Sequence, residues 1–563
     1  MNAIFLAIDI GGTYIKGAIV DSEVYDKFLK KRGSVTIGQL FEKKGKIPSP
    51  FSGEADSECF INAILELVKS LNPVGTHLKG IGISCSGVVN YHGTMVEKTT
   101  KALVVLKNKD WKPYLESYYS CPVALINDND AAAIGMAELN YLKGPSTIGV
   151  MTIGTGLGFT IWRNGRRWRP GGSLPLLGSI YTPGGSYNEL GSALRRERDD
   201  YFKHLAGIIT TAAILYHLDE VYIAGGLVDA ASSVGVDISG QLAFYMKEMA
   251  VESDKPVDVK IIREGNALQL LGATSLISGE LEAKRLKKTP DYQSMGTELP
   301  YKKELLLHQC EAIEIAGLLL TAENEAGAQL LESIPIISMV AEKLANSLRR
   351  GGRLIYVGAG TSGRVAAMDA VEIPCTYGLS RDRVLAIIAG GVSDASVEIE
   401  SNFEEDASGV PELLLLNINE QDTVIGISAS GSAYFVQSAL AFARSRGSYT
   451  AMIQSVASPE GLPFCDAVIP LHSGYEVVAG STRMKAGTAT KKVLNCLTST
   501  AMILNGEVIG PYMIGLSCIN NKLIARAQAI LKEVYDISEQ DSAKLLQEND
   551  LDMRKVVGLL KQK

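Results

Sequence analysis

Apolar residues along the chain fall into short runs that end in Gly or Asp and alternate with amphipathic stretches. IFLAIDI, IGISCS, PVALIND, TIGVMTIGTG and EVYIAGG read as strands, and CFINAILELVKSL carries the spacing of a helix. After a polar stretch over Glu280–Lys303 the rhythm resumes. A helical lead precedes RLIYVGAG, VLAIIAGG, DTVIGISASG, YTAMIQSV and AVIPLH, each followed by a helix-compatible segment. Strands that alternate with helices predict α/β layers, and the second series, uniformly apolar, predicts a doubly wound parallel sheet. From Asn521 onward the pattern predicts short amphipathic helices, with Ser538 as an N-cap. The expected divisions are a first domain over 1–285, a linker over 286–300, a second domain over 301–520 and a helical subdomain over 521–563.

Composition narrows the class. With 55 Lys and Arg against 62 Asp and Glu, the formal charge of −7 supplies no footprint for nucleic acid or an anionic membrane surface. MNAIFLAIDIGGT lacks a basic leader and a long apolar core, and no later run is long enough to span a bilayer. The expectation is a soluble cytoplasmic protein. Its eight cysteines form no CxxC pair and no His-Cys cluster, so neither an intrinsic metal site nor a disulfide framework is expected.

In the first half, Asp9 is followed by Gly11, Gly12 and Thr13, glycines that let backbone approach an anion and a hydroxyl that adds a donor; Lys16 adds charge. Gly154, Thr155 and Gly156 offer the same chemistry, a weak internal echo of the first turn. Gly225 and Gly226 follow a third strand and can admit a flat nucleoside. Between these turns, Asn127-Asp128-Asn129-Asp130 delivers carboxylates at a strand end, where Asp serves equally as a base for a sugar hydroxyl or as a helix cap.

These strings in this order, with ISCSG at 83–87, resemble the ROK family of sugar kinases over about residues 1–285. The resemblance implies a two-lobed actin-like, RNase H-like fold. It makes Asp128 the base and Asn127 and Glu189 sugar contacts. ATP phosphates fall to Gly11, Gly12, Thr13, Lys16, Gly154, Thr155 and Gly156, adenosine to Gly225 and Gly226, and help with Mg²⁺ to Asp9. The chain departs from the family where an E-x-G-H motif and a cysteine-rich zinc loop are usual, carrying Ser173–Ser179 and YTPGGSYNELGS instead. No clear counterpart of the family's sugar-loop Asn stands near Thr99–Ala102. Fewer polar contacts to a plain hexose imply either an inactive kinase or room for a bulkier substituent on O3 of the sugar, and the surviving phosphate turns and base favour the second.

In the second half, Gly358-Ala359-Gly360-Thr361-Ser362-Gly363 matches GxGxxG, but VLAIIAGG ends in glycine where a dinucleotide fold places its acid. Hydroxyls at Thr361 and Ser362, and at Ser428, Ser430 and Ser432 around Gly431, instead suit a phosphomonoester or cap helices. RLIYVGAGTSGR, DAVEIPCTYG, ISASGSAYFV and EVVAGSTRMKAGTATKKVLN resemble the SIS-domain family of N-acetylmuramic acid 6-phosphate etherases from about Thr297 to the C-terminus. That resemblance implies Glu372 as general acid, and Glu404 as base with Glu400 and Glu405 as rivals. It also places Gly360, Thr361, Ser362, Ser428, Ser430, Gly431, Ser432, Ser481, Thr482 and Lys485 around a sugar phosphate, without a cofactor. A family Arg is replaced by Ser432.

Together the resemblances imply a bifunctional amino-sugar enzyme, phosphorylating N-acetylmuramic acid with ATP and Mg²⁺ and then cleaving its lactyl ether. A homodimer acting on small amino sugars and their 6-phosphates follows by the same analogy. The rivals are a sugar-phosphate-binding regulator resembling glucokinase regulatory protein, and an etherase whose first half is a noncatalytic sensor.

Overall fold

The computed structural model describes residues 3–30, 36–50, 57–71, 77–89, 96–98, 107, 112–142, 144, 146–154, 157–163, 166–168, 181–182, 185–186, 198–233, 235–249, 257–265, 267–285, 298–302, 304–390, 407–455, 461–515 and 521–561. The chain divides into two compact units, one built on Met1–Leu281 and the other beginning at Glu282, with Val410–Asn417 grouping with the first.

The first unit contains two five-stranded sheets with one plan. In the first sheet the spatial order is Phe41–Pro48, Tyr14–Asp21, Ala3–Ile10, His77–Cys85, Val123–Asn127. In the second it is Arg166–Trp168, Leu157–Arg163, Thr147–Ile153, Glu220–Ala224, Asp258–Ile261. Each opens with an antiparallel hairpin extended by a third antiparallel strand, and each continues on the other side with two parallel strands. The internal echo thereby gains a spatial meaning, because Gly11–Thr13 and the turn after Ile153 join the first two strands of equivalent sheets. One core gathers Ile4, Ile8, Ile83 and Leu125 beneath the first sheet, and another gathers Met151, Ile223, Leu205 and Leu242 beneath the second. The helix Ala267–Arg285 packs backbone to backbone: a Cβ at Gly82 would lie 2.0 Å from the Ala273 carbonyl oxygen, and one at Gly272 would lie 2.0 Å from that of Ala131. Residues larger than glycine would drive this helix off the sheet.

The second unit holds an all-parallel sheet in the order Val384–Ile388, Leu354–Gly358, Thr423–Ile427, Tyr449–Gln454, Ala467–Pro470. Its three central strands are buried nearly throughout, as the uniform apolar runs require when helices cover both faces. Ile334–Arg349, Gly360–Tyr377 and Lys485–Leu504 contribute to its core. The helices Asn521–Tyr535, Glu539–Glu548 and Met553–Leu560 enclose a small core of their own around Leu531, Leu546 and Val556. Ser538 caps the middle one, accepting from the Asp541 amide at 3.1 Å. This tail is fastened to the sheet-bearing part by Arg554, which pairs with Glu507 at 2.6 Å and donates to the Tyr377 carbonyl at the end of the Gly360–Tyr377 helix.

Candidate active sites

The first site lies at the carboxyl ends of the strands in the first unit. Register places Lys16 and Ser84 opposite Asp9 on neighbouring strands, so their side chains share one face. Asp9 is buried and accepts from Ser84 Oγ at 2.9 Å. Lys16 is half-buried, and burial lowers its pKa against the opposing pull of Asp9 and Asp229. The adjacent turn closes through the Gly11 amide on the Tyr14 carbonyl at 3.1 Å, leaving Thr13 exposed.

Two other glycine turns meet across the second sheet. Gly225 has φ +122°, and a Cβ there would lie 2.4 Å from the Ile153 carbonyl oxygen, so the turn before Gly226 rests directly on the strand that leads into Gly154. Among the described residues, a Cβ at Gly154 would meet nothing within 4 Å. That open side is the space a phosphate or nucleoside requires. Thr155, Gly156 and Glu189 lie outside the described residues.

The acid-rich helix start sorts its own roles. Asn127 is the cap of the Asp128–Glu138 helix, its Oδ1 accepting from the amides of Asn129 at 3.0 Å and Asp130 at 3.1 Å. Its Nδ2 donates to the Gly87 carbonyl at 2.7 Å and to Asp128 Oδ1 at 3.1 Å. Asp130 is ion-paired with Arg167 at 2.8 Å, and Asn129 accepts from Thr152 Oγ1 at 2.9 Å. Asp128 receives the Asn129 amide at 2.9 Å on Oδ1 and Ser86 Oγ at 2.5 Å on Oδ2. Burial raises its carboxyl to about 6, with the Ser86 hydrogen bond opposing, Asp9 reinforcing, the Asn129 amide opposing and Asp130 reinforcing. A carboxylate so placed is close enough to neutrality to accept a proton and later release it.

The second site follows from topology. From Leu354–Gly358 the chain crosses to Val384–Ile388 on one side, then returns to Thr423–Ile427 on the other. Between Gly358 and its register partner Ile427 the direction of winding reverses, which opens a crevice at the carboxyl ends of these two strands. Both hydroxyl loops border it. Gly360, with φ +52°, begins a helix whose first turn carries Thr361 and Ser362, both half-exposed. In the other loop Ser428 is buried, Ser430 and Ser432 share a hydrogen bond of 2.6 Å, and Gly431, with φ +74°, accepts from Gln437 Nε2 at 2.8 Å. The Thr361 methyl lies 3.8 Å from where a Gly487 Cβ would stand, which brings the Ser481–Thr482 turn to the same end; the Gly487 amide donates to the Thr482 carbonyl at 3.0 Å.

Lys485 is differently engaged. It is buried, its ammonium donating to the Tyr475 carbonyl at 2.9 Å and lying 4.9 Å from the Tyr301 ring centroid. Glu476, also buried, accepts from the Lys485 amide at 3.1 Å and the Ala486 amide at 2.9 Å, fixing this helix start. Glu372 stands twelve residues along its helix from Gly360, about 18 Å at 1.5 Å per residue. Within one chain the helix therefore separates it from the hydroxyl loops. It is 60% exposed on a face shared with Met368 and Val371, and Lys491 lies 3.3 Å from it and 3.3 Å from buried Asp369. Tyr356 in turn donates to Asp369 at 2.8 Å. Glu400, Glu404 and Glu405 lie outside the described residues. Ser86, Asp369, Glu476 and Lys491 escaped sequence reasoning as site residues; the strings ISCSG, DAVEIP and EVVAGSTRMKAGTATKK contain them, but only the fold shows their partners.

Among known proteins, the ROK family model matches residues 5–175, and the model of the glucokinase regulatory protein N-terminal SIS domain matches residues 336–444. The fold and sites thus define a ROK domain joined to a SIS domain. N-acetylmuramic acid 6-phosphate etherase of Pseudothermotoga lettingae is 36% identical over 267 residues, 47% of this chain and 89% of that protein. The Petrotoga mobilis protein of the same name is 37% identical over 259 residues, 46% of this chain and 87% of that one. The chain belongs to the N-acetylmuramic acid 6-phosphate etherase family, with a ROK-family domain preceding the etherase-like part. Among solved structures, a ROK family glucokinase from Streptomyces griseus in complex with glucose and AMPPNP is 19% identical, covering 48% of this chain and 98% of that one, with a TM-score of 0.39.

Proposed function

We propose that the chain phosphorylates N-acetylmuramic acid at O6 with ATP and then releases D-lactate from the 6-phosphate, in the cytoplasm and as a homodimer. In the first unit, Asp128 Oδ2 takes the proton of the 6-hydroxyl as that oxygen attacks the γ-phosphorus and ADP departs. Asp9, buried beside Ser84 and facing Lys16, has the charge and position to hold Mg²⁺, which would neutralise phosphate charge. Placement and charge neutralisation carry most phosphoryl transfers, and the three glycine turns with Lys16 provide them here.

In the second unit the ring-opened sugar phosphate is held by hydroxyls of Thr361, Ser362, Ser428, Ser430, Ser432, Ser481 and Thr482. A carboxylate of the Glu400–Glu405 segment, Glu404 by preference, removes the C2 proton made acidic by the C1 aldehyde. The C3–O bond breaks as Glu372 protonates the lactyl oxygen, and water adds to the resulting enal to give N-acetylglucosamine 6-phosphate. Dimerisation would cover Met368 and Val371, exposed by 43% and 67%, and bring Glu372 to a crevice of the second copy. The observation that supports this reading most is the pair of hydroxyl loops at the winding reversal of the sheet, in a chain matching 89% of an etherase.

Incubation with N-acetylmuramic acid, ATP and Mg²⁺ tests the sequence of reactions: D-lactate forms with wild type, and the 6-phosphate accumulates with Glu372→Ala. Absence of both products in wild type would refute the reading. The match to a regulatory SIS domain favours a second reading, binding of sugar phosphate without cleavage. Saturable binding of N-acetylmuramic acid 6-phosphate with no D-lactate would establish it.

A further inference from the structure

Asp128 Oδ1 is held by two donors, the Asn127 amide nitrogen Nδ2 and the Asn129 backbone, both from its own helix start. Oδ2, the oxygen left for chemistry, is held among the described residues by a group from a different strand end, the Ser86 hydroxyl at 2.5 Å. Ser86 follows the strand His77–Cys85, whose last residues pair in register with Ile126 and Asn127, so serine and aspartate leave adjacent strands at the same level. We propose that Ser86 is a positioning residue of the kinase half, holding Asp128 in the orientation that meets the acceptor hydroxyl and sharing Oδ2, through its second lone pair, with that hydroxyl when the sugar binds. The proposal rests on the kinase reading above.

Alternatives to this role are absent from the near surroundings among the described residues. Asp130, on the same helix, is paired with Arg167. Asp9, on the strand Ala3–Ile10, bears the same sign as Asp128 and already accepts from Ser84. Cys85 is buried in the apolar core with its thiol toward the Ser86 carbonyl, and burial together with Asp128 and Asp9 pushes that thiol well up, so it stays neutral. Ser86 is thus the side-chain donor from outside the helix that stabilises the ionised form, and a hydrogen bond to a charged group is among the stronger kinds.

Ser86→Ala, Ser86→Thr and Asp128→Asn would be compared with wild type by sugar-dependent ADP release, using N-acetylmuramic acid and ATP across a range of pH. The expected result for Ser86→Ala is a kcat lower by about tenfold with KM for ATP unchanged, and an acid limb displaced upward by about one pH unit. Ser86→Thr, which keeps the hydroxyl, restores both. Wild-type kcat and an unmoved limb in Ser86→Ala, with Asp128→Asn inactive, would overturn the inference and leave the kinase reading intact. A uniform loss in the alanine and threonine variants alike would also overturn it, marking a packing role. If wild type releases no ADP with the sugar, the kinase reading fails, and this proposal with it.

Discussion

The carboxylates of the two units stand in opposite physical situations. Asp128 is enclosed, bonded on both oxygens and raised to about 6 by burial, all within one chain. Glu372 is mostly in water, tied to Lys491 on a helix face that also exposes Met368 and Val371. The surroundings of Asp128 are supplied by the fold of its own domain. Those of Glu372 are largely solvent. The contrast teaches that a carboxylate at a strand end can be enclosed by its own domain, whereas one midway along an exposed helix face meets chiefly solvent.

The largest effect expected is loss of each half-reaction by its own carboxylate. Asp128→Asn should reduce ADP formation by roughly 10²-fold or more while D-lactate release from supplied 6-phosphate continues, and Glu372→Ala should do the reverse. Coupled loss of both activities in either variant would break the comparison. Complementation sharpens it further. Mixed dimers of Glu372→Ala with a Ser428→Ala, Ser430→Ala double variant should regain D-lactate release that neither homodimer shows; if mixing restores nothing, Glu372 does not act across an interface.

Next in size is Gly225→Ala. Its φ of +122° and the 2.4 Å approach to Ile153 oxygen leave no place for a methyl group, so the second sheet should lose about 1–3 kcal/mol and ATP affinity should fall. A thermal melt and ATP titration indistinguishable from wild type would contradict that geometry. A smaller change should follow from pH. Asp128 acts as a base only when ionised, and its value lies above the ordinary carboxylate range, so kinase kcat/KM should decline as pH falls through about 6. The complementary stability effect has the opposite sense, since the folded state binds the proton more readily and gains stability as pH drops over that interval. A kinase rate flat across this range would disprove Asp128 as base. The mildest change expected is for Lys491→Met, which should lower etherase kcat several-fold, as befits a partly exposed pair, without moving the kinase rate. Equal rates in wild type and variant would show that the Lys491 bridge to Asp369 is structural.

Much of the fold was legible because it depends on local chemistry. Uniform apolar runs such as RLIYV and DTVIGI can be satisfied only by strands covered on both faces, and Ser538 caps a helix by a contact three residues away. The glycine turns were readable for the same reason, as places where a missing side chain lets the backbone turn or approach closely. What remained ambiguous was the division of labour within Asn127-Asp128-Asn129-Asp130, because four polar residues at a helix start are equivalent until their neighbours are known. Arg167 and Thr152, far along the chain or on another sheet, withdraw Asp130 and Asn129, and Asn127 takes the capping role.

Lys485 shows the same boundary from the other side. Among the hydroxyls of GSTRMKAGT it reads as a substrate cation, yet its ammonium is enclosed by the Tyr475 carbonyl and the Tyr301 ring, a partner nearly two hundred residues distant in sequence. By itself, then, the amino-acid sequence determined the α/β layering, the repeated glycine turns and the inventory of polar groups on which the proposed chemistry draws. Only the tertiary structure decided which of those groups are already paired, since desolvation and hydrogen bonding depend on residues brought together in space, and those contacts leave no local trace in the order of the chain.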